Sequence, residues 1–222
     1  MTVTGTDPAD RPGGALRLAS ALHAAGVRTG HRVSLLVAPG PARSASVAAS
    51  LRLGAVVVAA SPDLSEDEVA AAHAVARPDV VVGDRRGMRV ARRLRGPALW
   101  LSADRPRLAD RFLAGGLPLA DLVTRHLLLA LPPVPAPDGD AALLFVPSDR
   151  PGEGPIGVHW TRSDLAGLAT SPADRPVAPR GPRAASAPLA RELLAAAGVP
   201  VGLVAGERAG AATPPARRPA LV

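Results

Sequence analysis

The stretch "DAALLFVPSDRPGEGPIGVHWTRSD", residues 140–164, holds the side chains best suited to chemistry. An apolar run enters a Gly/Pro-rich loop and a second short apolar run leaves it. Ser148, Arg150, Gly152, Gly154 and Gly157 are the candidate site residues. Glycines let backbone N–H groups approach an anion closely, a hydroxyl adds a donor, and a guanidinium is a good phosphate ligand. The chemistry suggested is binding of phosphoryl oxygens. Three neighbours oppose it. Asp149 and Glu153 add negative charge, each costing on the order of 4 kcal/mol at about 4 Å from a like charge in an effective dielectric near 20. Pro151 removes a backbone donor.

Other constellations are weaker. None of the histidines (His23, His31, His73, His126, His159) has a partner at ligand spacing, so no zinc site is expected. His23 and His73 fall on helix faces as surface or packing residues, and His159 beside Trp160 is expected to pack. Ser148, Asp149 and His159 lack the G-x-S-x-G surroundings of a nucleophile elbow. Arg92, Arg93 and Arg95 read as a solvated face, and Trp100 as core.

Composition narrows the classes. The chain has 222 residues, of which 47% are hydrophobic, mainly Ala, Val and Leu. One domain, or one and a half, fits that length. Small aliphatics bury little area each, at roughly 25 cal/mol per Å², so modest stability is expected. The net charge is +7, and every basic residue apart from histidine is Arg. Those arginines are spread along the chain without interleaved aromatics, which argues against a nucleic-acid platform and leaves only non-specific attraction to polyanions. Without Cys, disulfides and thiolate metal sites are excluded. The N-terminus carries no basic start followed by an apolar stretch, and no run of about 18 apolar residues occurs. A cytoplasmic protein without a membrane span is the expectation.

The elements that must position the loop follow from periodicity. Residues 1–13 read as a flexible arm. Leu16, Ala19, Leu22 and Ala25 recur at helical spacing up to Gly26. Buried strands are expected at 31–39, 55–61, 79–83 and 98–102, with helices at 42–53, after Ser65, around 88–94 and at 119–131. Ser65 with Glu68 forms a capping box, and Pro78 stops that helix. Residues 131–140 form a Pro-rich connector. Thr161 or Ser163 with Asp164 marks a helix start. Residues 170–187 read as a mobile Pro/Arg-rich loop, 189–198 as a helix, 199–206 as a strand and 207–222 as a disordered tail. Strand–helix alternation predicts an α/β fold, a mostly parallel sheet with helices on both faces.

The order Gly26-Val27, Gly30-His31-Arg32-Val33, Gly54-Ala55-Val56 and Pro62, then "ARPDVVVG", resembles the start of adenylate-forming (AMP-binding) enzymes: acyl-CoA synthetases, fatty acyl-AMP ligases and adenylation domains. The likeness spans roughly 14–206 and implies a partial N-terminal domain of that fold. It places the 147–157 loop at the family's phosphate loop, with Pro155, Gly157, Val158, Thr161 and Leu165 matching. Ile156 stands for the family's Lys and Arg162 for its His. ATP and Mg²⁺ are implied by the resemblance only, and no cofactor is expected for the isolated chain. The family's adenine loop, ribose motif and C-terminal catalytic Lys have no counterpart here. Three readings follow: a truncated, degenerate family member unable alone to adenylate a fatty or other carboxylic acid; one piece of a split ligase completed by a partner chain; or a non-catalytic scaffold for a full-length synthetase or carrier protein.

Overall fold

The computed structural model describes residues 14–94, 96–97, 99–104, 116–125, 130–133, 136, 138–150, 152–170 and 181–198. The expected arm (1–13), strand (199–206) and tail (207–222) lie outside these residues.

Valine-rich runs make the sheet. Strands β1 (Arg32–Leu36), β2 (Val56–Ala60), β3 (Val80–Gly83), β4 (Leu99–Ser102), β5 (Leu117–Pro118), β6 (Asp140–Val146) and β7 (Ile156–Thr161) line up in the order β5-β4-β3-β1-β2-β6-β7. All neighbours are parallel except β6 and β7, which form an antiparallel hairpin with Val146 opposite Ile156. The two-residue edge strand β5 has no period-2 signal and was not expected from sequence.

Both faces of the parallel strands are buried, and alternation assigns each side chain to a layer. Val33, Leu35, Val57, Val80, Val82, Ala142 and Leu144 face the larger core. That core is completed by α1 (Gly14–Ala24), α2 (Pro41–Leu53), α5 (Leu119–Arg125), α6 (Arg162–Thr170) and α7 (Pro182–Ala197). Val56, Val58, Leu143 and Phe145 face the other side, under α3 (Glu66–Ala76). Leu36 and Val81 pack there against Val90 and Ala91 of α4 (Arg85–Ala91). The α/β expectation with helices on both faces therefore holds.

Local signals explain the helix ends. Helix α2 starts at Pro41, whose missing N–H is harmless in a first turn, and stops at Gly54 in the left-handed region at φ 76°. Ser65 accepts a hydrogen bond from the Glu68 N–H, while the Glu68 carboxylate accepts from the Ser65 N–H, completing the capping box. Those Ser65 bonds hold the Glu68 carboxyl below its usual range. Helix α4 carries Gly87 against β1: a Cβ there would sit 1.7 Å from the Leu36 carbonyl oxygen. Only a bare backbone fits.

Three expectations need correction. Helix α7 begins at Pro182 rather than 189, so 182–187 are its first turns rather than loop. Pro188 lies inside this helix, where tertiary burial of Ala187, Leu189, Ala190, Leu193 and Leu194 outweighs its lost hydrogen bond. Leu16 is 49% exposed, because Leu18, Ala21 and Leu22 carry the buried stripe of α1 instead. His159 is exposed, as described below.

Candidate functional site

The parallel strand β6 delivers the chain to the carboxyl edge of the sheet, and β7 returns it. Residues 147–155 connect them, so the candidate loop is a wide hairpin loop on the last pair of strands. Its base is rigid: Leu144, Phe145 and Val146 are buried. Phe145 also accepts from the Ser61 N–H at 2.8 Å, fixing the loop's entry to the turn after β2. At its exit, a Cβ on Gly157 would meet the Phe145 ring at 3.0 Å, so this glycine serves cross-strand packing.

The tip folds onto its own carboxylate. Ser148 Oγ donates to Glu153 Oε2 at 3.0 Å, and an Arg150 guanidinium N–H donates to Glu153 Oε1 at 3.2 Å. The Arg150 N–H donates to Ser148 Oγ and the Glu153 N–H to the Arg150 carbonyl. Gly152 takes the turn at φ 84°, and Gly154 faces open space. The hydroxyl, the cation and two backbone donors offered to an anion are thus engaged within the loop. Of the five candidates, Ser148 and Arg150 come together on Glu153, Gly152 and Gly154 shape the exposed tip, and Gly157 lies in the strand.

These residues do not fit a nucleotide triphosphate with its metal. Glu153 occupies the donors, Asp149 is exposed beside them, and Pro151 has no N–H to give. Among the described residues no group of three or more His, Asp or Glu could hold a cation.

The flanks are braced from α6 and α7. Asp164 accepts from the Thr161 N–H at 3.0 Å, while Thr161 Oγ1 accepts from the Asp164 N–H, so the expected helix start is real. Arg183 bridges to Asp164 at 2.5 Å and lies 4.9 Å above the Trp160 ring. Burial raises the Asp164 carboxyl, but the bonds from Thr161 and Arg183 outweigh it and hold the group below its usual range. Trp160 Nε1 donates to Ser186 Oγ at 3.1 Å in the core. With Trp160 and Val158 inward, pleating turns His159 outward, where it faces Asp140 at 3.5 Å instead of packing.

Sequence reasoning missed the burial of Arg162. This side chain is fully buried, and one guanidinium N–H donates to the Leu51 carbonyl at 2.8 Å near the negative end of α2. Its Nε and second terminal nitrogen have no partner, and burial depresses its pKa. A lone arginine opening an amphipathic helix gives no sequence cue for this.

The scaffold decides the family. A family model of AMP-binding enzymes matches residues 14–128, more than half of the chain. The chain belongs to the AMP-binding enzyme family. The matched span of this family member ends before the hairpin, so membership rests on the parallel layers. Solved structures share the fold. The anthranilate CoA ligase AuaEII in complex with anthranoyl-AMP is 19% identical with a TM-score of 0.58, covering 70% of this chain and 29% of that one. A Mycobacterium tuberculosis fatty acyl CoA synthetase is 22% identical at TM-score 0.56, covering 82% and 36%. The inhibitor-bound N-terminal domain of FACL13 from Mycobacterium tuberculosis is 21% identical at TM-score 0.57, covering 82% and 46%. The chain thus spans less than half the length of each. No curated protein sequence matches it.

Proposed function

We propose that this AMP-binding family member is a degenerate, non-catalytic relative of acyl-CoA synthetases that does not by itself adenylate a carboxylic acid. The observation that carries this reading is the closure of Ser148 and Arg150 onto Glu153. An incoming triphosphate would have to displace that carboxylate and then tolerate it nearby, alongside Asp149. Adenylation depends on holding the α-phosphorus and the acid in reactive geometry, and a loop whose hydroxyl and guanidinium face a carboxylate is poorly arranged for that. Exchange of labelled pyrophosphate into ATP, with a panel of fatty and aryl acids, tests this. Exchange at background level is expected, and turnover by the isolated chain overturns it.

A second reading is favoured by the partial coverage of the solved structures described above. The chain supplies one portion of a split ligase, and a partner chain brings the rest of the nucleotide site. Co-expression with a partner carrying an adenine loop and a catalytic Lys would then produce acyl-adenylate that neither chain makes alone.

A further inference from the structure

Strand β7 ends the sheet. Among the described strands its neighbour is β6 alone, and the opposite edge, β5, is only two residues long. The backbone groups on the outer side of β7 follow from alternation. The Ser61 N–H donates to the Phe145 carbonyl at 2.8 Å, so Phe145 turns its own N–H and C=O toward β2. Its neighbours Leu144 and Val146 turn theirs toward β7, where Val158 and Ile156 stand opposite them. Gly157 and His159 therefore point their N–H and C=O groups away from the sheet. Both residues are exposed, as an open edge requires.

This edge carries none of the usual protection. Its sequence, IGVHWT, has no Pro, Lys, Arg or carboxylate to repel a second strand. The register irregularity at Asp140/Ala142 lies beyond the pairing of 156–160. The strand is also complementary to itself. In an antiparallel pair about a two-fold axis at Val158, Gly157 stands opposite the partner's His159, and Ile156 opposite the partner's Trp160. Gly157 and His159 then exchange both N–H···O bonds, and the imidazole lies beside a residue with no side chain. On the other face Val158 meets its own copy and the half-buried Ile156 meets an aromatic ring, both favourable cross-strand pairs. An axis at His159 would instead need the Thr161 N–H, which already donates to Asp164 at 3.0 Å. Asp140 lies 3.5 Å from His159, so each histidine near the axis brings its own anion.

We propose that β7 is a homodimer interface, in which two copies of this chain pair antiparallel along Gly157 and His159 and join their sheets into one. The same patch serves on both copies, and β5 is too short to repeat the contact, so association closes at the dimer.

Sedimentation velocity on the full chain tests this, with a Kd of about 1–100 µM expected for so small an interface. His159→Pro removes an outward N–H while sparing the bonds to β6, and should raise Kd at least about tenfold. His159→Lys leaves the backbone intact and should weaken association by a similar factor, more so at low salt. Far-ultraviolet circular dichroism checks that both variants fold. Because the chain has no Cys, Val158→Cys reports the register: on oxidation it should form a disulfide-linked dimer much faster than Ala74→Cys on exposed α3. A wild-type chain that stays monomeric to about 500 µM, or one that assembles beyond the dimer, would overturn the interface. So would association that survives both His159 variants, or equal crosslinking of the two cysteine variants. None of these readouts involves a nucleotide, so this test and pyrophosphate exchange succeed or fail separately.

Discussion

The layers around β1–β4 and the hairpin β6–β7 follow different rules. In the layers, position is dictated by burial: Val33, Val57, Val81 and Val82 have almost no exposed surface, and each face meets a helix. At the hairpin tip Arg150, Gly152, Glu153 and Gly154 are exposed, and the geometry comes from polar contacts among Ser148, Arg150 and Glu153. A packed region resists drift because each change leaves a void or a clash. An exposed loop can exchange its charges at little cost to stability and can therefore lose a ligand while the scaffold stays intact. The family match, confined to 14–128, falls on the packed region.

Two glycines break or sharpen this contrast most strongly. Gly87→Ala drives a methyl into the Leu36 carbonyl and is expected to cost more than about 4 kcal/mol or to prevent folding, measured by urea denaturation. Gly152→Ala meets no atom but keeps a left-handed φ, so about 1–2 kcal/mol is expected. Equal costs at the two positions would erase the distinction.

The next effect is a pH dependence. Burial depresses His73 to about 4 in the folded chain, below the ordinary histidine value of 6.5. Between those values the unfolded chain binds the extra proton, so stability rises with pH. The contribution is complete above about pH 6.5 and is lost as pH falls toward 4, on the order of 3 kcal/mol in all. Between pH 7 and pH 4 the wild type should lose that amount of stability relative to His73→Phe, whose denaturation midpoint lacks this titration.

Arg162 is a smaller test. Replacing a buried, partly unpaired cation by a methionine of similar reach removes two unsatisfied nitrogens. Arg162→Met is expected to leave stability unchanged or raise it by about 1–3 kcal/mol. Ser65→Ala, which deletes the N-cap of α3, should cost about 1 kcal/mol by the same assay.

The two regions also differed in how far the sequence disclosed them. Gly54, Ser65, Glu68 and the valine runs announced α2, α3 and the parallel strands, because caps and continuous apolar runs have few alternative structures. The Pro/Arg-rich composition of 170–187 hid the first turns of α7, which are held by its buried apolar face rather than by local propensity. The candidate loop residues were visible as residue types, but their internal pairing depends on side-chain directions in a turn, which spacing does not encode. His73 and Arg162 were the least legible. Each sits in an ordinary helical sequence, and only the third dimension buries it.

The smallest structural change bears on the largest functional claim. Glu153→Gln removes the carboxylate charge from an exposed pair and should alter stability by less than about 1 kcal/mol, while leaving Arg150 free to meet an anion. The most direct measurement is a titration of the ¹⁵N-labelled wild-type chain with Mg²⁺ and ATP, following the amides of residues 147–157. The account predicts no saturable shifts there. Saturable, site-specific shifts at Ser148, Arg150 and Gly152 in the wild-type chain would contradict it.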